Sequence, residues 1–392
     1  MKSMPSRICI VTTMGSSIEN WVVPFLDAYA KAGIHVTVIC NMEETYAQSL
    51  MVRYPHVQAV SIQIPRGIKL RGSFSSLWAL YKIFRREQFD LVQYSTPNAS
   101  FYAAVAAFLA GIKVRLYCQW GMVFVSASGL KRRLLRLMEK TICHLSTNIQ
   151  PDSYGNLEYC RKDRLYSEKK SEVIWNGSAK GVDLSRYDFQ LRSDYAQEIR
   201  HRYGIDQGDI VLGFVGRLGR DKGCQELFEA FQKLRQEEPR LKLLFVGPIE
   251  KEDTIAPLWL HYFYSEEAII KTGRVADVEK HIAAMDIFVL PSYREGFGMS
   301  VVEAEAMGVP VVVTEYPGPV GGMVNGHTGY VIPIKDAQAI EAAVLRLIKN
   351  PEMCKRFGEN GIALAREKFD SKVFCSKLME NRLGLIQTVR AE

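Results

Sequence analysis

Residues 210–223 read Ile210-Val211-Leu212-Gly213-Phe214-Val215-Gly216-Arg217-Leu218-Gly219-Arg220-Asp221-Lys222-Gly223, and their reading decides the fold. The first six residues are apolar or glycine without a break, which predicts a strand covered on both faces, as in a parallel sheet. Gly216, Gly219 and Gly223 let the backbone turn tightly, and residues 225–237 then continue with helical spacing. Strand, tight basic turn and helix in this order open a Rossmann-like βα unit.

The same alternation runs outward in both directions. Towards the C-terminus, residues 241–246, 287–290 and 309–313 read as strands, with a helix over 301–307. Towards the N-terminus, strands over 8–13, 35–40, 91–94 and 114–118 alternate with helical stretches over 21–32, 74–88 and 101–111. Two α/β sheets are therefore expected in a chain of 392 residues, a length beyond which one core usually stops growing. Between them lies Val173-Ile174-Trp175-Asn176-Gly177-Ser178-Ala179-Lys180-Gly181-Val182-Asp183, rich in turn formers, which places the boundary near Tyr187. Past Ala337 the chain reads as helical to its end. The expectation is a first domain over 1–187, a second over 188–374, and a last helix over about 375–392 returning to the first.

Composition excludes several classes. Hydrophobic residues make up 47% and charged residues 24%, which fits a globular chain and not a disordered or fibrous one. The eight cysteines are scattered without a C-x-x-C pair, as in reduced thiols of the cytoplasm. Residues 1–7 lead into the first strand without the apolar segment of a secretory signal. The apolar stretch 101–112 is shorter than the roughly 20 residues of a bilayer span, so a cytoplasmic location is expected. Charge is uneven: 24 basic residues face 14 acidic ones over 1–190, against 26 and 29 in the rest. Such a field draws anionic partners, whether phosphorylated small molecules, nucleic acid or anionic lipid. Basic tracts interleaved with exposed aromatics are missing, which argues against nucleic acid.

Two loops carry chemistry. In the first, Arg217 and Lys222 stand beside a helix start at the mouth of the sheet, an arrangement that suits a diphosphate. The alternative is a solvated turn with incidental charges. The second is Pro291-Ser292-Tyr293-Arg294-Glu295-Gly296-Phe297-Gly298-Met299-Ser300-Val301-Val302-Glu303, again between strand and helix. Backbone N–H groups around 298–301 would form an anion site, with Glu295 and Glu303 placed to accept from sugar or ribose hydroxyls. Glu303 alone could equally complement the helix dipole, which would leave Glu295 unexplained.

Together the two loops resemble family 4 glycosyltransferases, retaining enzymes of GT-B fold that use nucleotide-sugar donors. G-R-L-x-x-D-K-G spans 216–223, E-x7-E runs from Glu295 to Glu303, and Gly308-Val309-Pro310-Val311-Val312 follows the helix. The resemblance covers most of the C-terminal half and is weaker before it. It implies two Rossmann-like domains facing each other across a cleft. It further implies that Gly216, Arg217 and Lys222 hold the diphosphate, Glu303 the ribose and Glu295 the transferred sugar. Amides of Gly296, Phe297, Gly298, Met299, Ser300 and Val301 would meet sugar and phosphate, Arg274 and Val275 would lie at the base, and Gly15 would line the donor cleft. Glu295, Arg217 and Lys222 are then the catalytic set.

The chain also departs from the family. Where many members carry His-Gly after a strand, this chain reads Cys118-Gln119-Trp120-Gly121, so Gln119 or Trp120 would take over a contact to the sugar, unless Trp120 is a core residue. No Asp-x-Asp pair occurs and the histidines are scattered singly, so no metal or other cofactor is expected, and Arg217 and Lys222 would carry the charge of the leaving diphosphate. Retention would proceed by same-face attack assisted by that phosphate.

In residues 130–145, Leu130, Leu134, Met138, Ile142 and Leu145 share one side, and Arg132, Arg133, Arg136 and Lys140 share another, next to the apolar loop 122–125. Residues 122–145 would therefore rest on an anionic membrane, or else form a core helix with a solvated basic face. In the first case the acceptor would be a lipid-linked saccharide of bacterial surface polysaccharide (capsule, exopolysaccharide or O-antigen), met at the inner face of the cell membrane. UDP is the nucleotide expected from family frequency. Competing readings are a nucleotide-sugar epimerase or another GT-B enzyme, and a basic nucleic-acid- or membrane-binding protein without catalysis.

Overall fold

The computed structural model describes residues 6–65, 73–250 and 252–390. Residues 1–5, on which part of the leader reading rests, and 391–392 of the last helix lie outside the described residues. The chain forms two compact units, one of residues 1–180 and 373–392, the other of 181–372.

The first unit carries β1 (Ser6–Met14), β2 (Ile34–Asn41), β3 (Val57–Ser61), β4 (Leu91–Tyr94), β5 (Val114–Gln119) and β6 (Asn148–Pro151). They pair in parallel in the order β3-β2-β1-β4-β5-β6, with Ile8 opposite both Val36 and Leu91. Because side chains alternate along a strand, β1 feeds two cores. Cys9 and Val11 enter one; Ile8 and Ile10 enter the other. That second core is closed by the C-terminal helix Ser371–Arg390, which supplies Phe374, Leu378, Met379 and Ile386.

The second unit carries β7 (Ile210–Val215), β8 (Leu241–Val246), β9 (Ile269–Gly273), β10 (Ile287–Leu290), β11 (Val311–Thr314) and β12 (Gly329–Ile332). Its order, β12-β11-β10-β7-β8-β9, repeats that of the first sheet, the earliest strand lying in the middle. In both sheets the chain reverses its direction of travel beside that strand, at β1/β4 and at β7/β10. Such a switch point opens a crevice outside the carboxyl ends of the strands.

The boundary falls at 180/181 and not near Tyr187. Val182 donates to the Phe369 carbonyl at 2.7 Å and accepts from Ser371 at 2.9 Å, which ties the end of the connector into the second unit. All eight cysteines are free, and six of them are buried. No helix among the described residues is long and apolar enough to cross a membrane.

Candidate active site

The loops after β7 and β10 flank the switch point of the second unit. Strand pairing of Leu212 with Ile287 brings them side by side. The first loop turns at Gly223, whose φ is +68° and whose added Cβ would stand 2.0 Å from the Pro291 carbonyl oxygen. Only glycine permits that approach, and it seats the first loop on the root of the second. The second loop ends at Gly298, with φ +81°, which starts the helix Met299–Ala306.

Asp221 joins the loops. Its carboxylate accepts from Arg217 within the same loop and from Arg294 Nη2 of the other at 2.8 Å. Its backbone carbonyl accepts from Tyr293 N at 2.9 Å and Ser292 Oγ at 3.1 Å. Burial pushes the Asp221 carboxyl up, but the charges of Arg217, Arg294 and Lys222 outweigh it and hold the group below its ordinary range. Beside this pin, Lys222 Nζ donates to Glu295 Oε1 at 2.5 Å, both side chains being largely enclosed.

Three cations thus share two carboxylates in a partly buried pocket of charge, which leaves one positive charge for an anion. Arg217 Nη1 is buried with no acceptor among the described residues. A buried N–H of this kind is costly to leave unmatched, so the pocket is prepared to take an acceptor oxygen.

Glu303 is 7% exposed, and its negative charge acts on the buried Tyr187 hydroxyl nearby. Burial, followed by the negative charge of Glu303, raises the Tyr187 phenol far above its ordinary value, so it stays a donor. Phe297 turns into the core against Phe369, with ring centroids 5.3 Å apart, so only its backbone is available. Val301 N already donates to Gly298 O at 2.9 Å and its side chain is buried, so the expected row of outward amides is shorter than the sequence suggested. Ser300 is half-buried at the start of the helix.

The remaining predicted residues lie apart from this cluster or in the other unit. Arg274 is exposed and pairs with Glu250 at 3.7 Å, just past β9, with Val275 half-buried next to it. Gly247 N donates to Gly273 O at 3.0 Å and Gly216 N to Val246 O at 2.9 Å, so the segment reaches the first loop only through the end of β8. Gly15 opens the helix Gly15–Trp21, and its carbonyl accepts from the Tyr46 hydroxyl at 3.4 Å. Near it, at the switch point of the first unit, the Thr13 and Thr96 hydroxyls meet at 2.7 Å. Gln119 is fully buried: its Nε2 donates to Glu139 at 2.5 Å and its Oε1 accepts from the Tyr166 hydroxyl at 3.1 Å. Trp120 is half-buried against Trp21.

Sequence reasoning missed Asp221, Arg294 and Tyr187. A lone aspartate among three cations was the legible signal for the first; nothing local marked Tyr187.

The chain is similar in sequence and in fold to known proteins. Residues 196–364 match the family Glycosyl transferases group 1, and residues 19–155 match a Glycosyl transferase 4-like domain. The chain is 30% identical over 326 residues to the capsular polysaccharide biosynthesis glycosyltransferase CapM of Staphylococcus aureus, covering 83% of this chain and 85% of that protein. It is 24% identical to the N,N'-diacetylbacillosaminyl-diphospho-undecaprenol alpha-1,3-N-acetylgalactosaminyltransferase of Campylobacter jejuni, over 95% and 97% of the two chains. The solved structure of Anabaena HepE in complex with UDP and glucose superposes with a TM-score of 0.78 at 17% identity, covering 97% of this chain and all of that one, and so shares the fold.

Proposed function

The chain belongs to the glycosyl transferases of group 1, and on that premise we propose that it moves a sugar, with retention, from a UDP-sugar to a lipid-linked saccharide during synthesis of bacterial surface polysaccharide. The observation that carries the donor half is the meeting of Lys222 with Glu295 beside the Arg217–Asp221–Arg294 cluster. A diphosphate entering there takes the unmatched Arg217 Nη1 donor and shares Lys222, which frees Glu295 for a sugar hydroxyl. Glu303, beside Tyr187, faces the ribose. Gly216 and the amides of the 296–300 segment lie along the phosphates, and Arg274 and Val275 flank the base.

As the glycosidic bond breaks, negative charge grows on the leaving diphosphate, and the fixed cations Arg217 and Lys222 stabilise it. The acceptor hydroxyl attacks from the face that the phosphate leaves, and a phosphate oxygen takes its proton. Positive charge from side chains replaces a divalent ion, so treatment with EDTA is expected to leave turnover unchanged. Loss of activity that Mg2+ restores would overturn that point.

The acceptor half is supported by relatives whose names specify undecaprenol-diphosphate-linked acceptors. It is supported also by the helix Gly129–Leu145, where Leu130, Leu134 and Leu137 are exposed among exposed Lys131, Arg132, Arg133 and Lys140. Such a face rests on an anionic leaflet. Met122 and Phe124 of the neighbouring loop are buried and serve the core, leaving Val123 and Val125 partly exposed.

Thermal unfolding with UDP, GDP or ADP tests the donor, since a ligand of the folded state raises its apparent stability. UDP is expected to give the largest shift. UDP release from a UDP-sugar that requires a polyprenyl-diphosphate saccharide then separates transfer from epimerisation.

A further inference from the structure

The donor chemistry leaves one cavity of the first unit unused. It measures about 40 Å3 and lies near the carboxyl ends of β4, β5 and β6, lined there by Gln93, Cys118 and Gln150. Ligands of open α/β sheets bind outside those ends. Trp21 and Trp120 wall it, with ring centroids 5.8 Å apart and planes tilted by 39°. One tryptophan ends the helix after β1 and the other follows β5, so two separate connections converge on one aromatic pair. The Lys180 ammonium stands 5.5 Å from the Trp21 ring centroid.

The floor of the cavity is polar. Arg382, from the C-terminal helix, is 1% exposed. Its Nε donates to Gln93 Oε1 at 3.1 Å, its Nη1 to Gln150 Oε1 at 2.6 Å and to Asn381 Oδ1 at 2.7 Å, and its Nη2 to Cys118 Sγ at 3.5 Å. These neutral partners orient a buried guanidinium, an expensive way to fill a core that an apolar side chain would fill more cheaply. Asp152 and Ser178, both buried, line the same space, so it offers acceptors as well as donors.

The geometry points to this cavity as the subsite that receives a short neutral substituent of the acceptor sugar, whose ring lies across Trp21 and Trp120. A pyranose has an apolar C–H face that packs on indole by dispersion and an edge of hydroxyls that both donate and accept. An aromatic wall with a few convergent polar groups matches both faces. The volume holds about three water-sized atoms, enough for the acetyl end of an acetamido group or for a hydroxymethyl group and too little for a ring. Asp152 and Arg382 line the cavity with opposite charges, which leaves no net charge to favour an anionic substituent. The inference rests on the acceptor half of the proposed function, and the C-terminal helix becomes part of the acceptor site through Arg382.

Saturation-transfer NMR titration of the full chain with the methyl glycosides of glucose, N-acetylglucosamine and glucuronic acid tests it. A neutral glycoside is expected to bind saturably, with Trp21→Ala and Trp120→Ala each weakening it about tenfold or more, and Trp120→Phe retaining most of the affinity. Unchanged unfolding temperatures in the variants exclude loss of fold. No saturable binding of any glycoside, undiminished binding in both alanine variants, or preference for the glucuronide would each overturn the inference. UDP-induced stabilisation of the same unaltered protein reports the donor site separately. Glycoside binding absent while UDP still stabilises refutes this cavity alone, whereas glycoside binding without UDP stabilisation upholds it and refutes the donor reading.

Discussion

Asp221 organises the site although it has no part in the proposed chemistry. Its carboxylate holds Arg217 and Arg294 while its carbonyl holds the root of the second loop, so one residue sets the distance between both cation-bearing segments. Asp221→Asn leaves two guanidinium groups facing a neutral amide and is expected to cost about 1–3 kcal/mol at neutral pH, read as a lower unfolding temperature. The folded carboxyl lies below its ordinary range, so its stabilising contribution is complete above that range and drains away as the pH falls through it. The gap between parent and variant should therefore close in acid; a gap that widens there would refute the assignment. Lys222→Ala and Glu303→Ala are each expected to lower turnover by about a hundredfold or more with the fold intact. Full activity in both would remove the site. The cations and Glu295 were legible because they sit in short loops beside strong strands, and Glu303 because it lies in the first turns of the helix that follows. Tyr187 was not, since a tyrosine in a connector carries no local mark of the glutamate it will meet.

At the level of elements, the central strands were readable and the borders were not. β4, β7, β8 and β10 match the expected strands residue for residue, because strands covered on both faces read as nearly continuous apolar runs, broken here only at Gln93 and Lys242. β3, β6, β9 and β12 escaped notice, and all four are sheet edges. An edge strand is partly wet and tolerates polar residues and proline, as in Asn148-Ile149-Gln150-Pro151, so its alternation is weak. The helix Gly129–Leu145 shows how tertiary packing sorts a periodic pattern. Ile142 is buried, Met138 and Leu145 are partly covered, and Leu130 and Leu134 remain exposed, joined by Leu137. Arg136 is drawn off to Asp163 at 2.8 Å, which leaves Lys131, Arg132, Arg133 and Lys140 as the basic face. Reversing Lys131, Arg132 and Arg133 to glutamate is expected to abolish flotation with anionic liposomes, each lost cation removing about 1 kcal/mol of attraction. Unaltered flotation, or none by the parent at low salt, would refute the membrane reading.

Over the whole molecule, one helix at the far end of the chain completes the first unit. Phe374, Leu378, Met379 and Ile386 close a core begun by Ile8 and Ile10, and Arg382 bonds β4 and β6. Ending the chain after Lys372 should cost the first unit several kcal/mol, at about 1.5–3 kcal/mol for each large apolar side chain uncovered. Limited proteolysis should then cut within 6–180 while 181–372 resists; equal resistance of both would refute that dependence. The amino-acid sequence by itself determined two parallel sheets, a helical C-terminal stretch and the two charged loops, because burial period and turn chemistry are properties of neighbouring residues. Only the tertiary structure decided which charges pair and what lines the cavity. Lys222 and Glu295 are 73 residues apart, and Gln93 and Arg382 are 289 apart. Such partners meet through strand order and helix return, which no local pattern of side chains encodes.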